Sequence, residues 1–372
     1  MKISLPLQSF SKSVRVASKI SNEKSPSPIL SNLRLVAAGD TLTITATNLS
    51  TDLTITIPAE IEDAGRVVVP AKQLSDWLEK VSGETVKAAI KDSKLKLSCG
   101  RSTLTLSTIP PEEFPDVDCL SVFDLTVISK DEFSEAIERT IHAISTDINL
   151  VTSNLCFKFL DSEHLEIIGC DGIRLAIYNV TCSIQKPISY ILNKDACRYI
   201  LEAIKLETGN LTLRGCGNKF LVSGQTIQLA TLRTEGEYIN YNQILDNLVE
   251  KTHFTIDTTE FKRSVNIVAV ASSDNNEFID LVTSQSLLNI CTSKRVIANS
   301  IGDSETDTEI TDQEGFLVIT LNSNYLLESI NAIKSPTIRI STCLLGEAPM
   351  FMLTEQEYGK IRCLLAPYAV PE

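Results

Sequence analysis

Histidine and the common catalytic motifs are scarce in this chain. Its 372 residues include 3 histidines, His142, His164 and His253. No G-x-S-x-G, G-x-x-x-x-G-K or H-E-x-x-H motif occurs, so nucleotide hydrolysis and zinc-dependent hydrolysis lack their usual side chains. A Cys or Ser nucleophile would also need a base and a residue that orients the base. We expect no catalytic residue and no cofactor, and a cytosolic enzyme with Cys or Ser chemistry is the less favoured alternative.

Paired cysteines are also absent from the sequence. The 10 cysteines fall one at a time in apolar or strand-like segments, with no C-x-x-C motif and no paired histidine spacing. This usage is typical of small buried side chains in a reducing cytosol. It predicts neither disulfides nor a metal site.

Long apolar runs and excess positive charge are missing as well. No uninterrupted apolar stretch approaches the roughly 20 residues of a membrane-spanning helix, and polar residues between Gln8 and Lys12 interrupt the place of a signal-peptide core. We therefore expect a soluble, cytoplasmic protein that does not bind membranes. The net charge of −13 argues against a uniformly basic nucleic-acid-binding surface, but it allows basic residues that are segregated on one face.

The sequence does contain a threefold repeat. Helical segments with a core Phe and a β-branched residue four positions later start at Phe10, Phe133 and Phe261, so the spacings are 133 − 10 = 123 and 261 − 133 = 128 residues. Residues four apart share one face of a helix, as packing on a sheet requires. The apolar pairs of a second helix follow at similar spacings, and they are Leu78 with Val81, Leu201 with Ile204, and Ile330 with Ile333.

Between the helices the apolar period changes to two, which is typical of strands. The expected strands are Thr41–Thr45, Leu95–Leu97, Leu104–Ile109, Leu165–Ile168, Leu211–Leu213, Ile227–Leu232, Leu287–Cys291 and Ile338–Ile340. Polar or proline-bearing connectors at 110–117 and 235–242 separate the repeats. We predict an α+β fold of three tandem domains, 1–120, 121–248 and 249–372, each with two helices on one face of a mainly antiparallel sheet.

The sheet edges of such domains have a consequence for assembly. Three similar domains in a row can join edge to edge into one curved sheet, whose two end edges must then be paired or covered. Head-to-tail pairing of two chains would close them into a ring with two-fold symmetry. The repeat therefore predicts a homodimer.

Five segments of the chain carry a resemblance to one known family. They are Ser27–Leu33, Val69–Lys72, Gly100–Asp116, Cys170–Ala176 and Leu364–Val370, in this order. Together they resemble the bacterial DNA polymerase III β subunits, the sliding clamps. The resemblance implies a homodimeric ring of six DNA-clamp domains that encircles double-stranded DNA independently of sequence and catalyses no reaction. It also implies that the replicative polymerase, the clamp loader and repair proteins bind through short peptide motifs.

The resemblance further implies three sets of functional residues. Basic residues on or near the helices would face DNA, namely Lys12, Arg15, Lys19, Lys24, Lys72, Arg139, Lys194, Arg198, Lys205 and Lys262. The dimer interface would include Leu104, Leu106, Val268, Val270 and Ala271. A hydrophobic peptide pocket between domains 2 and 3 would be formed by Cys170, Gly172, Ile173, Arg174, Leu175, Ile239, Ile244, Ala366, Pro367, Tyr368 and Val370.

This chain departs from the family pattern at five of the pocket positions, so the preferred peptide stays open. The substituted residues are Cys170, Ile173, Ile239, Ala366 and Tyr368. A three-domain cytosolic scaffold that binds proteins without encircling DNA is the second alternative. It would need the same repeats and the same cleft, so the sequence alone separates it poorly from a clamp.

Overall fold

Seven α-helices and 26 β-strands follow one another along the described residues in an order that repeats three times. The computed structural model describes residues 1–21, 27–117, 122–145, 147, 151–161, 163–271, 277–293, 304–356 and 359–368. Each repeat runs from a strand into a helix, through several strands into a second helix, and ends with three strands. One additional short helix stands between the second and third repeats.

The helices carry the repeated core positions expected from the sequence. They are α1 Leu7–Ile20, α2 Ala71–Lys80, α3 Lys130–Glu138, α4 Lys194–Ile204, α5 Tyr241–Asp246, α6 Thr258–Ala271 and α7 Ser323–Asn331. Phe10, Phe133 and Phe261 lie on α1, α3 and α6 and are at most 1% exposed. The apolar spacing that predicted three equivalent helices is therefore confirmed.

Every strand expected from the alternating pattern overlaps a strand of the structure, although the one expected to end at Ile109 ends at Ser107. The strands are β1 Lys2–Pro6, β2 Asn32–Ala38, β3 Thr41–Thr47, β4 Thr51–Pro58, β5 Glu60–Asp63, β6 Gly65–Pro70, β7 Thr85–Lys91, β8 Lys94–Cys99, β9 Ser102–Ser107, β10 Val122–Ser129, β11 Asn154–Phe159, β12 His164–Cys170, β13 Arg174–Thr181, β14 Ile188–Asn193, β15 Asn210–Cys216, β16 Lys219–Ser223, β17 Ile227–Leu232, β18 Leu248–Asp257, β19 Phe278–Ser284, β20 Leu287–Thr292, β21 Glu305–Glu309, β22 Thr311–Glu314, β23 Val318–Asn322, β24 Thr337–Leu345, β25 Ala348–Glu355 and β26 Ile361–Leu365.

The first of two compact units comprises Met1–Ser134, Cys182–Lys186 and Asp195–Arg233. It contains a five-stranded sheet in the order β5-β1-β7-β8-β9 and an eight-stranded sheet in the order β10-β15-β16-β17-β4-β3-β2-β6. Helix α1 packs on α2 and on β3 and β4. The pairing of β17 with β4 joins strands of two repeats in one sheet, which confirms the expected edge-to-edge joining at this place.

The second unit comprises Glu135–Thr181, Pro187–Lys194 and Thr234–Glu372. Its nine-stranded sheet has the order β14-β11-β12-β13-β26-β25-β24-β18-β22, and its four-stranded sheet has the order β21-β20-β19-β23. Helix α6 packs on α7, β20 and β21. All named strand pairs in both units are antiparallel, so the α+β class is confirmed, and the pairing of β13 with β26 again joins two repeats.

The structure bears on the expectations for the cysteines and for membrane-spanning helices. Seven of the nine cysteines in the described part of the chain are buried, as their apolar sequence context predicted. Among the helices described, none is both long enough and apolar enough to cross a membrane.

Candidate functional site

A tight turn between β12 and β13 carries the central part of the predicted pocket. The Oδ1 atom of Asp171 accepts hydrogen bonds from the backbone N–H groups of Ile173 and Arg174, at 2.9 and 2.6 Å. Gly172 occupies the turn with a φ of +90°, a conformation that residues with a Cβ atom rarely adopt. The turn leaves the Ile173 side chain 47% exposed.

The floor beneath this turn is an apolar cluster of the second unit, which we call the pocket cluster. Its buried members are Cys156, Ile168, Cys170, Leu175, Ile177, Ile191, Tyr241 and Leu364. Partly buried residues that pack against it are Val151, Tyr238, Ile239, Ile244, Leu245, Leu248, Met350 and Met352. The structure thus brings four of the predicted pocket residues into one cluster, namely Cys170, Leu175, Ile239 and Ile244.

The chain after β26 meets the same turn. The N–H of Ala366 donates to the carbonyl oxygen of Ile173 at 2.8 Å, and the N–H of Tyr368 donates to the carbonyl oxygen of Thr320 at 3.0 Å. The ring of Tyr368 lies 4.5 Å from that of Phe278 between centroids and stays 40% exposed. Pro367 is half-buried between these two anchors, whereas the predicted pocket residue Val370 lies outside the described residues.

Arg174 is held by partners from two elements. Its Nε donates to Asp171 Oδ2 at 2.8 Å, and its Nη1 donates to a carboxylate oxygen of Glu328. The guanidinium carbon lies 4.0 Å from the centroid of the Tyr325 ring, which is the geometry of a cation–π contact. The side chain is only 7% exposed, so both carboxylates and the ring enclose its charge.

Tyr325 and Glu328 are pocket-side residues that the sequence analysis missed. Both lie on α7, three positions apart, and therefore on the same helix face. That spacing was readable in the sequence. Nothing local in it pointed to Arg174, because 154 residues separate Arg174 from Glu328.

The titratable groups of the pocket cluster are held neutral. Burial raises the pKa of Cys156 to about 12 and also raises the pKa of Cys170. Burial, together with the hydrogen bond to Glu166, raises the pKa of Tyr241. Thiolates are the reactive form of cysteine, so these two thiols are poor nucleophiles. The cluster offers apolar contact and hydrogen bonding rather than covalent chemistry.

The predicted DNA-facing residues divide into exposed side chains and one clear exception. Those that are exposed on or directly after a helix are Lys12, Arg15, Lys19, Lys72, Arg198, Lys205 and Lys262, while Lys194 is half-buried and Lys24 lies outside the described residues. Some of the exposed charges are already matched. Glu202 lies 2.7 Å from Lys19 and 2.8 Å from Lys205, and Asp195 lies 3.4 Å from Arg198.

Arg139 is the exception, and its predicted role is wrong. Its side chain is 5% exposed and forms a buried ion pair with Glu355, whose side chain is 2% exposed. Its Nε donates to the carbonyl oxygen of Ala332, at the end of α7, and its Nη1 donates to Glu135 at 2.7 Å. With its donors directed into the protein, Arg139 cannot present its charge to a phosphate.

The predicted dimer residues need a similar correction. Leu106 is 2% exposed and Val268 is fully buried, so neither side chain has surface left for another chain. Leu104 is half-buried on the edge strand β9, and Val270 is 78% exposed on α6, beside the half-buried Ala271. Ile267, which the sequence analysis missed, is 44% exposed three positions before Val270.

Comparison with known proteins places this geometry in one family. The model of the DNA polymerase III beta subunit N-terminal domain matches residues 1–118, and that of the C-terminal domain matches residues 249–368. The chain belongs to the DNA polymerase III beta subunit family. Among curated members, it is 24% identical to the beta sliding clamp of Rickettsia felis, with 91% of this chain and 92% of the relative covered. It is also 24% identical to that of Pseudomonas putida, with 94% and 96% covered.

Solved beta subunits have the same fold. The Thermotoga maritima beta subunit superposes with a TM-score of 0.90 at 19% identity and covers 100% of both chains. The Pseudomonas aeruginosa sliding clamp bound to griselimycin superposes with a TM-score of 0.89 at 20% identity and covers 99% of both. At 19% and 20% identity, these two superpositions show that the chain has the fold of the solved beta subunits.

Proposed function

We propose that this chain is a sliding clamp, a non-catalytic processivity factor of DNA replication in the cytoplasm. Two copies would form a closed ring of six domains around double-stranded DNA, with each chain divided into domains at 1–120, 121–248 and 249–372. The threefold repetition of the strand and helix order, with sheets joined edge to edge in each unit, is the observation that carries this proposal. Membership of the beta subunit family supports it.

The second part of the proposal concerns partners. We assign the surface formed by the β12–β13 turn, the pocket cluster and residues 366–368 as the binding site for short peptide motifs of the replicative polymerase, the clamp loader and repair proteins. Exposed Ile173 and Tyr368 over an apolar floor support this assignment, because a linear peptide binds through a few apolar anchors.

Encirclement is tested by comparing closed and cut DNA. We expect protein that has been loaded onto a nicked circular duplex by the clamp loader of its own host to stay bound through a high-salt wash. Cutting the circle with a restriction enzyme should release it, since a topological link needs no salt-sensitive contact. The matched control is a circle with a bound protein roadblock on each side of the cut site. Equal loss from intact and cut circles would support the scaffold alternative and refute the clamp.

A further inference from the structure

We infer that the peptide pocket of this chain selects motifs whose apolar anchors are flanked by basic residues rather than by acidic ones. The inference rests on the proposed peptide-binding function and adds the charge of the partner. It follows from how the structure disposes of the charges around the pocket cluster.

The predicted pocket residues offer no unpaired positive charge to a peptide. Arg174 is the single basic residue among the eleven predicted pocket positions. Its guanidinium is enclosed by Asp171, Glu328 and the Tyr325 ring and is 7% exposed. Two carboxylates against one guanidinium leave one excess negative charge. That charge reaches solvent, because the Glu328 side chain is 51% exposed.

The segment that covers the pocket cluster adds more negative charge. Residues 234–250 contain no Lys or Arg, and six of their apolar side chains belong to the cluster or pack against it. The same segment presents exposed carboxylates at Glu235, Glu237 and Asp246. A peptide lying on this surface would therefore pass close to several carboxylates.

The cations near the cluster reduce this negative charge but do not reverse it. Lys158 lies 4.8 Å from the centroid of the Tyr241 ring, and Glu166 accepts the hydroxyl hydrogen bond of the same tyrosine, so this pair is neutral overall. Arg362 is exposed opposite Ile177 in the pairing of β13 with β26 and contributes one positive charge.

Two further cations flank residues 234–250. Arg233 and Lys251 flank the segment in sequence and are exposed, while Glu250 is paired with Arg339. The three carboxylates of the segment without an ion pair in the described part of the chain and the excess one beside Arg174 therefore still outnumber Arg233, Lys251 and Arg362 by one. The surroundings of the pocket remain negative, which favours a cationic peptide over an anionic one.

Three fluorescent peptides test the inference. They share one Leu and one Phe anchor and differ only in the two flanking residues, which are Lys, Ser or Asp. Fluorescence anisotropy with the full-length chain at low salt should give the tightest Kd for the Lys peptide. We expect the Asp peptide to bind about twofold to fivefold more weakly than the Ser peptide, as is typical of exposed charge pairs. The difference should vanish at about 1 M salt, where the Debye length is about 3 Å.

Two carboxylate variants locate the effect. Glu328→Gln and Asp246→Asn should each reduce the difference in Kd between the Lys peptide and the Asp peptide. The two residues lie on different elements, so a folding defect in one variant leaves the other informative. Glu309→Gln, an exposed carboxylate on β21 of the four-stranded sheet, is the matched control and should leave this difference unchanged.

The outcomes separate this inference from the function on which it rests. If the Asp peptide binds as tightly as the Lys peptide or more tightly, the charge selection is overturned, while the peptide pocket itself stands. The pocket assignment fails, and the inference fails with it, in either of two cases. In one, none of the three peptides binds. In the other, each peptide binds the Ile173→Asp variant as tightly as it binds the wild-type chain.

Discussion

Removal of the Arg139 side chain should destabilise the second unit and leave DNA retention intact. In Arg139→Met, the carboxylate of Glu355 stays buried and keeps the backbone N–H of Lys334, at 3.1 Å, as a hydrogen-bond donor. Leaving a buried charge without its partner typically costs about 3–5 kcal/mol. The carbonyl oxygen of Ala332 also loses its donor, which adds about 1 kcal/mol. We therefore expect the free energy of unfolding to fall by about 4–6 kcal/mol.

The assay must report on the second unit by itself. The single tryptophan, Trp77, lies in the first unit, so its fluorescence does not follow the loss. Amide hydrogen exchange, read by mass spectrometry on peptides from α7 and β25, measures the local opening free energy instead. Arg198→Gln is the matched control, because Arg198 is 60% exposed and its loss should change stability by less than about 0.5 kcal/mol.

A second variant separates charge burial from simple loss of packing. Arg139→Met combined with Glu355→Gln removes the unpaired charge, so we expect it to regain at least about half of the lost free energy. The reasoning is refuted if Arg139→Met exchanges like the wild type while its retention on circular DNA becomes more sensitive to salt. That result would mean that Arg139 faces the phosphates after all.

Two further predictions concern assembly and pH. Leu104→Asp puts a charge on the edge strand β9 and should halve the mass measured by light scattering. Thr105→Asp, on the same strand, tests for a general effect of added charge. An unchanged mass of the Leu104→Asp variant would refute the placement of the interface. The pKa of His142 is lowered from 6.5 to about 4, mainly by burial and secondly by the positive charge of the nearby Arg174. The folded chain therefore holds this histidine neutral. The unfolded chain binds the proton first as pH falls, and stability should therefore be complete above about pH 6.5 and drop by up to about 3 kcal/mol by pH 4. His142→Leu should flatten this part of the stability profile in urea titrations, and an identical slope in both proteins would contradict the assigned pKa.

The elements that repeat locally were predictable from the sequence. Helix α1 buries Phe10 and Val14, the two residues that the apolar spacing placed on one helix face. Asp followed by Gly is a common turn sequence, and Asp171 and Gly172 form the turn at the centre of the candidate pocket. Such patterns are set by neighbours within a few residues, and a single sequence contains them in full.

The error at Arg139 comes from contact between residues that are far apart in the chain. Arg139 directly follows the last residue of α3, and its partner Glu355 is 216 residues away. No periodicity can reveal that such a cation is paired and buried. Val268 is different, because Phe261, Val265 and Val268 form a regular apolar stripe on α6 that placed Val268 in the core.

The two buried arginines change how an acidic chain can hold DNA. Arg139 and Arg174 form ion pairs with Glu355 and Glu328 of the second unit. That unit therefore presents fewer unpaired cations than its sequence suggests. Helix α1 contains three basic residues and no acidic one. Of these three, Lys12 and Arg15 are exposed and have no ion pair within the described residues, whereas Lys19 pairs with Glu202. Phosphate attraction by the described helices should therefore be strongest at Lys12 and Arg15, rather than shared evenly among the repeats.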